Sequence, residues 1–319
     1  MSETAIALEL FLLWLNETHG RAHGRAFRTA DEHDSEAVAI EDSRRLTVEV
    51  RSLLGPVENS DWLAARTRLE NQIATAVPTR VGVWVPAGAE LPAGEPAASE
   101  FVELLRQAAT KLEARERSDV PLPVTLFLRK TADSGSVVSA TGGLNPHWAR
   151  FTGRVNGTFD LDSNRLHRMP AGENHLDALI ETVVERSERL EAGKWVEIET
   201  IDAWTVQRLS REGKSTIVAV PPSETRDMGL AVRRNLRRTL GEAVPSLRSS
   251  GSELTALVLI GYYAHLKDEG ATIALRGFSP ALYSGVDFLV LVTDGLVKPL
   301  IQTPPRVLSS PLNSPYLPR

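Results

Sequence analysis

The chain predicts an α/β protein in which helix-period and strand-period segments alternate along its length. Three features carry that expectation. Val81-Gly-Val-Trp-Val85 is an uninterrupted apolar run of strand length, the pattern of a strand covered on both faces. Leu176, Leu179, Ile180, Val183 and Val184 recur at helical spacing in a polar background. Asp294-Gly295 separates two apolar runs and is the dipeptide of a tight hairpin turn.

The first element expected is a helix from about Thr4 to Glu17, with Ser2 or Thr4 as its cap. Its stretch Ala5–Leu15 is nearly all apolar, like the central part of a signal peptide. However, Glu3 and Glu9 are acidic, no Lys or Arg precedes the run and no small-x-small cleavage site follows. The run is also too short to span a bilayer, so a buried first helix without membrane insertion is expected. Strands follow at Ala26–Thr29, Glu36–Glu41 and Arg45–Leu53. A helix capped by Asp61 then runs to Val77, before Pro78 and the strand at Val81. Together these make a first lobe over residues 1–88 with the order helix, three strands, helix, strand.

Residues 89–192 read as a continuation of that lobe. They hold a Pro/Gly/Ala-rich connector, a helix over residues 98–115, and two strands at Val124–Leu128 and Ser136–Ala140 joined as a hairpin across Ala-Asp-Ser-Gly. A turn-rich stretch and a helix over residues 174–190 complete the region. Residues 193–302 predict a second α/β lobe, with strands at Trp195–Ile201, Thr216–Val220, Thr255–Tyr262, Val286–Thr293 and Leu296–Ile301, and a helix over residues 226–242. The Pro/Ser-rich segment 303–319 reads as a tail outside the core.

Composition bounds the function. The 319 residues are 42% hydrophobic, enough to bury a sizeable core. Net charge is -5, so nucleic-acid binding would have to rest on local basic patches. The absence of cysteine removes disulfides, thiolate catalysis and zinc ribbons, and fits a cytoplasmic location. No GxSxG, no GxxxxGK[ST] and no GxGxxG after a strand appears, which sets aside the α/β-hydrolase, P-loop and dehydrogenase classes.

The chemistry-bearing stretch is Asp34–Arg51. In the strand at Arg45–Leu53, side chains alternate: Leu46, Val48 and Val50 point one way, Thr47, Glu49 and Arg51 the other. If this strand pairs as a hairpin with the one before it, Asp34 comes to the end where Glu49 or Arg51 emerges. Two carboxylates brought together so make an oxygen-donor site for Mg²⁺.

This pattern, with its element order, resembles the core of the PD-(D/E)XK nuclease-like superfamily over the first quarter of the chain. Asp34 matches the first acid of that motif, Glu49 the second, and Arg51 stands where the family has Lys. His33 stands where it has Pro. The resemblance implies Mg²⁺-dependent hydrolysis of DNA or RNA, with Asp34, Glu49 and Arg51 catalytic. Arg51 can stabilise phosphate charge but is too basic to act as a proton acceptor. Glu9, the lone ionisable residue of the first apolar run, is a further metal ligand by analogy with a helix Glu in some relatives.

Nucleic-acid contacts are expected from Arg233, Arg234, Arg237 and Arg238, which form two i,i+4 pairs opposite Leu236 and Leu240. A second basic-aromatic segment holds Trp148, Arg150, Arg154, Arg165 and Arg168. His147, His167 and His175 lack metal-ligand spacing. The expected function is thus a nuclease-like, nucleic-acid-binding protein. The alternative is a non-catalytic scaffold of the same fold that binds a partner protein, with Leu308, Leu312, Tyr316 and Leu317 of the tail as its contact.

Overall fold

The computed structural model describes residues 3–19, 23–28, 34–39, 45–54, 59–170, 174–210, 213–222, 228–262 and 277–302. The fold is α/β, with two mixed sheets. It divides into two compact units: Met1–Glu58 with Arg226–Arg319, and Asn59–Thr225. The first segment contains α1 (Glu3–His19), β1 (His23–Arg28), β2 (Asp34–Ala39) and β3 (Arg45–Ser52). The second unit contains α2 (Ser60–Ala76), β4 (Val81–Trp84), α3 (Ala97–Thr110), β5 (Arg117–Ala132), β6 (Ser136–Gly142), β7 (Gly157–Ser163), α4 (Asn174–Glu188), β8 (Trp195–Arg208) and β9 (Thr216–Val218). The chain then returns to the first unit with α5 (Met228–Ser249), β10 (Leu254–Ile260), β11 (Phe288–Thr293) and β12 (Leu296–Gln302).

In the first unit the sheet order is β1-β2-β3-β10-β11-β12. The three N-terminal strands form an antiparallel meander. β3 then lies parallel to β10, in register from Leu46 opposite Leu254 to Ser52 opposite Ile260. β10 is parallel to β11, and β11 turns back into β12. The turn between them is the Asp294-Gly295 dipeptide, with φ of 52° and 73°. Positive φ at both central residues is what a tight hairpin of this twist requires, and Gly and Asp tolerate it best.

Strand alternation gives the sheet two faces. On one, Phe288 packs against Phe11 and Trp14 of α1, with ring centroids 6.2 and 6.4 Å apart. Phe288 is in register with Ala256, and Ala256 with Val48, so this is the α1 face. On the other, Leu257, Leu259, Leu289 and Leu291 form one buried cluster with Leu236, Leu240, Val244 and Leu247 of α5. β10 is buried at every position, as expected for a strand with a helix layer on each side. Among the described residues, no helix is long and apolar enough to cross a membrane.

The second unit has a sheet of order β6-β7-β5-β8-β4-β9. β5 and β8 pair along most of their length, Arg117 opposite Gln207 through Arg129 opposite Trp195. Pro121 and Pro123 fall in the part of β5 whose other edge has no strand, because β7 reaches only Phe127–Ala132. A missing N–H costs no ladder bond there. One sheet face carries two separate apolar clusters. α2 and α3 cover Val83, Val120, Trp204, Val206 and Ile217. α4 covers Leu126, Leu128, Phe159, Leu161 and Ile198.

Several expectations are corrected. β4 joins β8 and β9 in the second sheet rather than β1–β3, so the compact units divide at 58 and 225, not at 88 and 192. Helix α2 is capped by Asn59, whose side chain accepts from the Trp62 N–H at 3.0 Å, rather than by Asp61. β5 and β6 do not form the expected hairpin, since β7 lies between them, antiparallel to β5 and parallel to β6. β7 itself has a clean alternation, with Phe159 and Leu161 buried and Asp160 and Asp162 exposed, inside a stretch whose many turn formers concealed it.

Because Leu257 is fully buried between β3 and β11, Leu257→Ala should destabilise the protein by about 2–5 kcal/mol. Urea unfolding followed by circular dichroism measures this. A loss well under 1 kcal/mol would mean that Leu257 does not sit in this core.

Candidate functional site

Pairing of β2 with β3 places Asp34 opposite Glu49 in the strand register. The backbones of the two acids are therefore neighbours across an antiparallel pair. The side chain of Asp34 lies outside the described residues, as do His33 and the β2–β3 connection.

Glu49 is 1% exposed. Its Oε1 accepts a hydrogen bond from Arg51 Nε at 2.7 Å, and Arg51 Nη2 lies at ion-pair distance from the same oxygen, also 2.7 Å. A guanidinium hydrogen bond to an ionised carboxylate is a charge-assisted contact. The pair results from strand parity: residues two apart point to the same face, and the short reach keeps the guanidinium on the carboxylate. Arg51 is about one-third exposed, so one end of the pair meets solvent.

Glu49 is in register with Leu257, and Leu257 packs with α5. The site therefore lies on the α5 face of the sheet. Glu9 is 3% exposed on α1, which packs on the opposite face. The sheet separates Glu9's helix from Glu49, so the three expected metal ligands are not brought together. Among the described residues, no group of three His, Cys, Asp or Glu is placed to hold a metal ion.

Arg233, Arg234, Arg237 and Arg238 of α5 are exposed, with Leu236 and Leu240 buried beneath them. Arg233 and Arg237 lie over the ring of Phe278, at 5.6 and 5.7 Å from its centroid. This is cation–π geometry, and it holds two cations side by side without neutralising either. Arg234, Arg237 and Arg238 have no carboxylate partner among the described residues. Arg234, Arg237 and Arg238 thus leave a row of positive charge on the exposed side of α5.

The basic-aromatic segment behaves differently. Arg150 pairs with Asp177 and Arg154 with Glu181, the latter at 2.6 Å, both acids being on α4. The Glu181 carboxylate raises Arg154 above its ordinary value. Phe151 is fully buried and Arg168 nearly so. Trp148 stays 52% exposed, but the charges of Arg150, Arg154 and Arg168 are already met by carboxylates within the protein.

A second polar cluster escaped the sequence reading. Asp202 of β8 is 2% exposed and accepts from the backbone N–H groups of His167 and Arg168, at 2.8 and 2.6 Å. Its other oxygen takes the Trp204 indole N–H at 3.0 Å and faces His167 Nδ1 at 3.2 Å. His167 and Asp202 are 35 positions apart, so spacing could not join them. The available signal was an acid inside the apolar strand segment Ile201-Asp202-Ala203-Trp204.

Comparison with known protein families, with characterised proteins and with solved structures finds no match to this chain.

Replacing Arg51 by Met removes a hydrogen-bond donor and the paired positive charge from a carboxylate buried to 1% exposure. Arg51→Met should destabilise the fold by about 1–3 kcal/mol. A double-mutant cycle with Glu49→Gln, read by urea unfolding, should return a favourable coupling between the two positions. Strict additivity would show that the pair contributes nothing.

Proposed function

We propose that the first unit is a nuclease-like core that binds DNA or RNA and hydrolyses its phosphodiester backbone with Mg²⁺. The observation that carries this reading is the register of Asp34 opposite Glu49. Two features support it. The unit has the order helix, three strands, helix, strand in one sheet, now with α5 and β10 as its fifth and sixth elements and Asn59–Thr225 inserted before them. The row Arg233, Arg234, Arg237 and Arg238 lies on the helix that covers the Glu49 face, where phosphates would be drawn to it.

Paired carboxylates fit the oxygen preference of Mg²⁺, and Asp34 and Glu49 would hold the ion. Bound there, Mg²⁺ would supply Lewis-acid stabilisation of the phosphate and a more acidic water. Arg51 orients Glu49 through its Nε hydrogen bond and places a fixed positive charge beside it. It supports developing negative charge on a phosphate but takes no proton. The α5 arginines bind the backbone without reading sequence.

The Glu49–Arg51 pair favours a second reading, in which the same fold is a non-catalytic scaffold. A carboxylate already engaged by a guanidinium has its charge compensated without a metal. Such a scaffold would bind a partner protein, for which the tail Thr303–Arg319 was the expected contact; that segment lies outside the described residues.

A cleavage assay on single- and double-stranded DNA and RNA, with and without Mg²⁺, separates the readings. The nuclease reading predicts Mg²⁺-dependent cleavage that falls at least a hundredfold in Glu49→Gln and in Asp34→Asn, on the order of the loss when an electrostatic catalytic group is removed. Equal activity in wild type and both variants would reject the assigned roles. The α5 row gives an independent expectation. Arg234→Ala/Arg237→Ala/Arg238→Ala should weaken nucleic-acid binding uniformly across sequences and reduce the slope of log affinity against log salt by roughly 2–3. An unchanged slope would remove α5 from the interface.

A further inference from the structure

The second unit contains a cavity of about 370 Å³ that the nuclease reading does not use. Strand parity places most of its floor. Of its strand residues, Leu122, Val124, Asp202 and Trp204 are even-numbered residues of β5 and β8, as are Val120, Leu126, Ile198 and Val206, which the helices cover, and Pro123 joins the lining between Leu122 and Val124. The cavity therefore lies on the helix-covered face, in the gap between the α2–α3 cluster and the α4 cluster. Loop residues Gly88–Glu90, Pro92, Asn164, Arg165 and His167 complete its walls. Most of the lining is apolar, with His167 among the lining residues and Arg165 and Glu90 at exposed positions.

The His167–Asp202 pair is fixed in place before any ligand arrives. Asp202 is held by two backbone N–H groups and an indole N–H, so it cannot swing away. Its remaining contact orients the imidazole through Nδ1. Among the described residues, Nε2 has no protein partner. A cap for the turn at His167 and Arg168 would account for the backbone bonds of Asp202. It does not account for an imidazole that is oriented by a buried carboxylate and lines an apolar cavity. An imidazole fixed at Nδ1 presents a directed hydrogen-bonding atom at Nε2.

We propose that this cavity is a binding site for a small aromatic or heteroaromatic molecule bearing a weakly acidic O–H or N–H group, which hydrogen-bonds to Nε2 of His167. Apolar walls take the ring, and the polar group fixes its orientation. A weakly acidic group suits either protonation state of the imidazole. The ligand donates to a neutral Nε2, or its anion accepts from a protonated one; in both cases one proton lies between the two atoms. The site is built within Asn59–Thr225 and does not depend on Asp34, Glu49 or Mg²⁺.

The probe is p-nitrophenol, with p-nitroanisole as the matched compound whose O–H is methylated. Both are titrated into the full-length protein near neutral pH, following the probe absorbance and the His167 imidazole ¹⁵N resonance. The expected result is saturable p-nitrophenol binding about tenfold tighter than that of p-nitroanisole, the size of one hydrogen bond, with a shift at Nε2. In His167→Phe the preference for p-nitrophenol should vanish while p-nitroanisole still binds. Equal affinities in the wild type, no saturable binding, or a preference that survives in His167→Phe would each overturn the proposal. Should His167→Phe fail to fold, the wild-type comparison and the Nε2 shift decide alone.

Discussion

The parallel pairing of β3 with β10 is the constraint on which the first unit rests. These strands lie on either side of the whole Asn59–Thr225 insertion, yet they run in register over seven residue pairs. Parallel neighbours need a crossover, and here it consists of the second unit followed by α5. The pairing joins the meander β1–β3 to the β10–β12 strands and so creates one sheet from two chain segments. It also buries β3 between neighbours on both edges. Glu49 lies 1% exposed because Leu257 sits beside it and α5 covers that face.

That burial explains why Arg51 is bound to Glu49. A carboxylate removed from water is costly unless hydrogen-bonded and compensated. Arg51, two residues along the same strand, does both from the nearest position on the same face. The chemistry of the face then depends on which positive charge Glu49 prefers, the guanidinium or a divalent ion shared with Asp34. The α5 arginines bear on this as well, since Phe278 steadies Arg233 and Arg237 without cancelling their charge. Under the proposed nuclease reading, the electropositive helix and the acidic pair would together form the surface that meets a phosphate backbone.

Local pattern made much of the fold legible. The alternation in Arg45–Ser52, the apolar run at Val81, and the Asp294-Gly295 turn each specify their own element. Parity alone placed Glu49 and Arg51 on one face. What local pattern cannot carry is partner choice between distant segments. The run at Val81 has the composition of a buried central strand in either sheet, and nothing within it specifies β8 and β9 rather than β3. The same blindness misread the Ser136 strand, because Ala-Asp-Ser-Gly reads as a hairpin turn although β7 comes between. His167 and Asp202 were missed for a related reason: their contact depends on the β8 strand meeting a distant loop. Charge compensation was equally invisible, since Arg150 and Arg154 meet acids on α4 that lie 27 positions away.

The central claim is that the register of β2 and β3 unites Asp34 and Glu49 into a divalent-cation site on the α5 face. Paramagnetic broadening by Mn²⁺, used as a stand-in for Mg²⁺ and read on backbone amide resonances, tests it directly. The account predicts saturable broadening centred on the amides of Asp34 and Glu49, extending to Leu257, reversed by excess Mg²⁺ and lost in Glu49→Gln. Unbroadened Asp34 and Glu49 amides at Mn²⁺ concentrations that saturate binding elsewhere, or no binding at all, would contradict it.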